Sequence, residues 1–120
     1  AGSGKPRLFL TEPSGLHSEW LGCAIGRGSK AVREFLESKL KSQTEADQLN
    51  NQQVVKLAVE ALLEVVQTGA QSMEIAVLSN NDPTNLRFLD TTEITAMVEL
   101  IERERQEEAE RRRAASGVRI

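Results

Sequence analysis

Between Asn51 and Gln67 the polar positions past the first turn are Lys56, Glu60, Glu64 and Gln67. At helical spacing these fall within one narrow arc. Val54, Val55, Leu57, Ala58, Val59, Ala61, Leu62, Leu63, Val65 and Val66 cover the remainder. A helix apolar nearly all round is expected to be buried nearly all round, with a sheet below it and helices on its flanks. Leu62 and Leu63 are expected core positions. Asn50 or Asn51 can cap its start, and Gly69 can close its end.

Upstream, residues 7–11 read as a short strand, and Glu12-Pro13-Ser14-Gly15 as a type I turn with Pro second and Gly fourth. Residues 16–25 read as a second strand. Leu16, Trp20, Gly22 and Ala24 point one way, and Leu21, Cys23 and Ile25 the other. Apolar groups on both faces predict a strand covered on both sides. After a Gly26-Arg27-Gly28 corner, Val32, Phe35, Leu36 and Leu40 give a helix from Ser29 its stripe. Residues 41–49 are polar and read as a loop.

Downstream, Met73, Ile75 and Val77 alternate with Glu74, Ala76 and Leu78, so 73–79 reads as a strand. Residues 80–85 have turn composition, and 86–89 read as the partner strand. Asp90-Thr91-Thr92-Glu93 predicts a capping box that opens a last helix. Its buried stripe is Ile94, Met97, Val98 and Ile101, and the stripe stops there. From Glu102 to Arg113 nearly every residue is Glu or Arg. Glu99/Arg103, Glu107/Arg111 and Glu108/Arg112 stand four apart in the favourable order. A projecting, solvated helix is the preferred reading. Nucleic-acid or transport-receptor binding by Arg111-Arg112-Arg113 is the sharper alternative, weakened by the interleaved glutamates.

Composition fits a soluble intracellular globular protein. A net charge of −3 supplies no global pull toward nucleic acid or an anionic membrane. A single cysteine, Cys23, excludes an internal disulfide, and a buried inert thiol is expected. No apolar run is long enough to span a bilayer, and no signal-peptide pattern opens the chain.

The chemistry on offer is sparse. Residues 26–30, Gly-Arg-Gly-Ser-Lys, lie between strand and helix, where backbone amides can cradle phosphate. They lack P-loop spacing and the third glycine of the dinucleotide fingerprint, so a tight corner is expected. His17 is the only histidine and has no second ligand nearby, which leaves neither a metal site nor a triad. Trp20 is expected in the core or at a subunit interface, since no basic-aromatic pattern surrounds it. No residue is assigned as catalytic, cofactor-binding or metal-ligating, and no cofactor is expected.

Two ungapped blocks carry a resemblance. Residues 12–36 contain Pro-Ser-Gly, an apolar stretch with a Trp, then Ile25-Gly26-Arg27-Gly28-Ser29-Lys30-Ala31-Val32-Arg33-Glu34-Phe35-Leu36. Residues 62–70 read Leu-Leu-Glu-Val-Val-Gln-Thr-Gly-Ala. Both resemble α-type subunits of the eukaryotic 20S proteasome, most of all the subunit at the fourth ring position, over residues 5–113 of this chain. Those subunits are longer and the resemblance begins mid-family, so the chain reads as a C-terminal half, a fragment or a cleaved piece. Residues 1–4 read as a flexible turn or a cloning scar, 5–101 as the half-domain and 102–120 as a charged helical tail.

The resemblance implies an α+β fold: the C-terminal half of the αββα sandwich of N-terminal nucleophile hydrolases. Strands 16–25, 73–79 and 86–89 would form one antiparallel sheet under three helices. Catalytic β-type relatives carry a serine between the corner glycines and an aspartate near the end of the long helix. Here Arg27 and Val65 stand at those places. The implied function is therefore structural and non-catalytic, in the outer α ring that gates substrate entry. The implied partners are other α subunits, the β ring and, through the ring, regulatory particles, with no membrane or nucleic acid, in cytoplasm and nucleus. A β-type threonine protease and a free-standing interaction module are the alternatives. Left alone, the chain is expected to self-associate.

Overall fold

The computed structural model describes residues 6–66, 73–79, 82–115 and 117. Strands β1 (Leu8–Thr11) and β2 (His17–Trp20) pair antiparallel, with Leu8 opposite Trp20 and Thr11 opposite His17. The Gly15 amide donates to the Glu12 carbonyl at 2.9 Å, and the Glu12 amide to the Leu16 carbonyl at 2.8 Å. Gly15 has φ +90°, a conformation a side chain resists. Across the ladder the Arg7 guanidinium grips the Glu19 carboxylate at 2.9 and 3.0 Å and lies 4.9 Å from the Phe9 ring centroid. Hydrogen bonding to Glu19, then its charge, raises the already high Arg7 pKa.

The second strand is shorter and barer than its pattern predicts. It covers four residues rather than 16–25, and all four are exposed. Past Trp20 the backbone leaves the ladder and settles on helix α1 (Ser29–Lys39). Arg33 Nε donates to the Ala24 carbonyl at 2.8 Å. Gly22 lies so close to the helix that a Cβ there would meet Leu40 Cδ1 at 3.0 Å. Gly22, Cys23 and Ala24, half-buried, thus serve a loop-to-helix contact while Leu21 and Ile25 stay exposed, which alternation alone does not distinguish from a two-faced strand.

Within 41–49, read as loop, the chain forms a five-residue helix, α2 (Gln43–Asp47). The Ser42 side chain caps it by accepting from the Glu45 amide at 3.1 Å. Helix α3 (Asn51–Leu62) begins with Asn50 as cap in a reciprocal box with Gln53, both bonds 2.8 Å. It closes by Leu62, and the expected glycine closure at Gly69 lies outside the described residues.

Strands β3 (Ala76–Ser79) and β4 (Asp82–Phe88) form the second hairpin, with Ala76 opposite Phe88 and Val77 opposite Arg87. β4 starts earlier than the expected 86–89 and absorbs part of the predicted turn, with an irregular register between Val77 and Ser79. Helix α4 (Thr91–Ala115) opens with the predicted box: the Glu93 amide donates to Asp90 at 2.8 Å, and the Asp90 amide to Glu93 at 3.2 Å.

One core forms where α3, α4 and the second hairpin meet. Val59, Met73, Ile75, Ile94, Val98 and Ile101 are buried there, and Leu62, Leu63, Val66 and Met97 pack around them half-buried. Val59 is 0% exposed and Ile101 1%. The fold is α+β with antiparallel strands, as expected, but the strands do not join in one sheet. Among the described residues β1–β2 and β3–β4 are separate two-stranded sheets. Nor is α3 buried all round. Val54 and Ala58 face outward, because α1, α4 and β3 cover the other sides and nothing described covers this one.

Beyond the core Lys56 Nζ holds the Glu104 carboxylate at 2.6 and 2.7 Å. The remainder of α4 is exposed. Of the three expected ion pairs on this helix, Glu108–Arg112 is formed, at 2.7 Å. The radius of gyration is 16.8 Å, against about 14 Å for a compact chain of this length, and the long axis spans 61 Å. A 25-residue helix about 37 Å long, anchored at one end, accounts for that excess. Among the described residues no helix is long and apolar enough to cross a membrane.

Candidate functional site

The corner between β2 and α1 is where the sequence places its most specific pattern. Gly26 and Gly28 have φ of +91° and +77°. The Ser29 amide donates to the Gly26 carbonyl at 3.1 Å, and the Val32 amide to the Gly28 carbonyl at 3.3 Å, which starts α1. A Cβ on Gly28 would lie 2.8 Å from Val65 Cγ1. The corner glycine and the turn that follows α3, 37 residues apart, are thus in direct packing contact. The two motifs that the sequence sets side by side by analogy are neighbours in space.

That contact decides what the corner can do. Val65 has no atom that accepts a hydrogen bond or carries charge. Arg27 is exposed and points no nucleophile at the joint. Two amides of the corner, those of Ser29 and Val32, are already spent on the Gly26 and Gly28 carbonyls. The geometry makes a steric joint that fixes the angle between α1 and α3, with Val32 and Ala61 buried beside it.

The other singled-out residues lie apart. His17 is exposed on the first hairpin, its ring 6.5 Å from that of Phe9 and tilted by 56°. Cys23 is half-buried in the loop after β2. Trp20 is not in the core: it lies on the open hairpin, its Nε1 donating to Ser18 Oγ at 2.7 Å. Among the described residues no group of three His, Cys, Asp or Glu is arranged to hold a metal ion. A hollow of about 650 Å³ opens between α2, the bare side of α3 and β3, lined by Ala46, Leu49, Val54, Ala58 and Val77. It lies away from the corner and gathers no acid–base pair.

Exposed apolar side chains are the stronger surface feature. Leu8, Phe9, Trp20 and Leu21 are exposed on and beside the first hairpin, and Leu78, Leu86 and Phe88 on the second. Sequence patterning set Leu78 on the face opposite Met73, Ile75 and Val77 but gave no sign that Phe88 shares it. The signal was available in the parity of Leu86 and Phe88 once β4 is extended upstream. The Lys56–Glu104 and Arg7–Glu19 pairs were also missed, since partners 48 and 12 residues apart leave no local spacing signature.

The α+β body with antiparallel strands is consistent with the sandwich type of the N-terminal nucleophile hydrolases, the fold class of the family that the chain matches. The chain belongs to the proteasome subunit family, whose sequence model matches residues 2–78. It is 46% identical over 110 residues to proteasome subunit alpha type-7-1 of Drosophila melanogaster, covering 92% of this chain and 42% of that protein. It is 45% identical over 104 residues to proteasome subunit alpha type-8 of Mus musculus, covering 87% and 40%. Against proteasome subunit alpha type-7 of Caenorhabditis elegans the identity is 44% over 103 residues, covering 85% and 40%. The chain therefore spans about two-fifths of the length of the relatives it matches.

Proposed function

We propose that this chain forms part of a structural, non-catalytic subunit in the outer α ring of the 20S proteasome core, serving ring assembly and gated entry of protein substrates. The observation that carries this reading is the Gly28–Val65 joint. Where a catalytic relative would set a carboxylate, this chain sets a valine packed at 2.8 Å from the Cβ position of the corner glycine. Alpha type-7 and alpha type-8 relatives at 42–46% identity support the α assignment.

On this reading the body, residues 5–101, supplies a half-domain and 102–120 a charged helical tail, with no residue catalytic, cofactor-binding or metal-ligating. The partners are neighbouring α subunits, the β ring and, through the whole ring, regulatory particles, in cytoplasm and nucleus. The exposed apolar faces of both hairpins support a chain made to be covered. Affinity purification through a tag on this chain, from cells of its own source, tests the reading. The expected product is a particle containing other α and β subunits, with peptide hydrolysis in the particle and none from the free chain. Hydrolysis by the free chain, or a folded chain recovered without ring subunits, contradicts it.

A further inference from the structure

The corner between β2 and α1 leaves one side chain with no task in the fold. The Ser29 amide donates to the Gly26 carbonyl at 3.1 Å, and Gly28 has φ 77° and ψ 4°. Residues 26–29 therefore make a type II turn with Arg27 at its second position, the apex. Ile25, Gly26, Arg27 and Gly28 are exposed, and a Cβ on Gly26 would meet nothing within 4 Å. Among the described residues no hydrogen bond, ion pair or ring contact involves Arg27. By contrast Arg7, Arg33, Arg87 and Arg112 each hold a carboxylate or a carbonyl. We propose that Arg27 is a methylation site, its guanidinium the acceptor for an arginine N-methyltransferase whose methyl donor is a sulfonium of the S-adenosylmethionine class.

Reach and availability select this reaction. Such an enzyme draws the guanidinium through a narrow pocket to a donor held inside, so the substrate backbone on both sides must come close to the pocket mouth. Glycine before and after Arg27 removes the two Cβ atoms nearest to that approach. Backbone conformation accounts for both glycines, and the turn they make presents the arginine outward. An arginine that grips a carboxylate must first release it, whereas Arg27 has nothing to release. Arg111, Arg112 and Arg113 have no glycine neighbour and stand within α4, where Arg112 holds Glu108 at 2.7 Å. In the transfer an η nitrogen of Arg27 attacks the donor's methyl carbon. The N–C bond forms as the S–C bond breaks, the sulfonium departs as a neutral thioether, and the displaced proton passes to a carboxylate of the transferase and on to solvent. The product keeps its positive charge but loses the bidentate grip of guanidinium on carboxylate. Because Arg27 makes no bond within the fold, the mark leaves the body unchanged and acts on contacts with an acidic partner surface. The inference concerns the chain on its own and does not rest on the ring reading.

Incubation of the full chain with a glycine–arginine-directed methyltransferase and methyl-labelled S-adenosylmethionine tests it, with the labelled positions mapped by peptide mass spectrometry. The expected result is methylation of Arg27, with most of the chain's label there, and loss of that label in Arg27→Lys. The methylated chain should melt at the same temperature as the unmodified one. The map of the wild-type chain decides the matter even if Arg27→Lys fails to fold. An unlabelled chain beside a labelled glycine–arginine-rich control peptide overturns the proposal. So does label shared equally with the arginines of α4, label undiminished in folded Arg27→Lys, or a melting temperature that shifts on methylation.

Discussion

Gly28 satisfies two demands at once. Its φ of +77° lies where a side chain costs about 1–2 kcal/mol, and the position of its missing Cβ is already claimed by Val65. Gly28→Ala should therefore destabilise the chain by at least about 1–2 kcal/mol in chemical denaturation. Gly15→Ala, strained at φ +90° but with nothing within 4 Å, should cost less. Ile101 is the other decisive position. It is 1% exposed and is the last apolar residue α4 places in the core. Ile101→Ala should cost about 2–5 kcal/mol by cavity formation. Leu62→Ala should fall at the low end of that range, because Leu62 is half-buried at the edge of the same cluster. Both glycine corner and apolar stripe were legible in the sequence, since each is a local pattern. That Val65 fills the corner was not, because packing between residues 28 and 65 has no local trace.

Helices declare their starts better than their ends. The boxes at Asn50/Gln53 and Asp90/Glu93 form because each pairs groups three residues apart, and such spacing survives any tertiary context. The same chemistry at Ser42 and Glu45 starts α2, hidden by its polar composition. The apolar circumference of α3 was legible, but burial needs partners, and the described elements cover only part of it. The outer part of α4 is linked to α3 by the Lys56–Glu104 pair. Truncation after Arg105 should leave thermal stability unchanged. Truncation after Ile101 also removes Glu104 and its hold on half-exposed Lys56, and should cost less than about 1 kcal/mol. A sharp fall in melting temperature after the shorter truncation would mean that the tail packs on the body.

At the scale of the molecule, strand existence was readable and strand assembly was not. Alternation at 73–79 predicted a strand, of which 76–79 is strand, and it separated Met73, Ile75 and Val77, which are buried or half-buried, from Ala76 and Leu78, which are exposed. Which hairpin joins which sheet depends on pairings between distant segments, and here the two hairpins stay apart. The result, among the described residues, is a body with one closed core and exposed apolar side chains on both hairpins.

Oxidative footprinting of Phe88, in the dilute free chain and in 20S particles purified through it, tests this account most directly. The prediction is strong labelling of Phe88 in the free chain and protection in the particle, with buried Ile101 unlabelled in both. Equal labelling of Phe88 in the two states, or protection already in the dilute free chain, would contradict it.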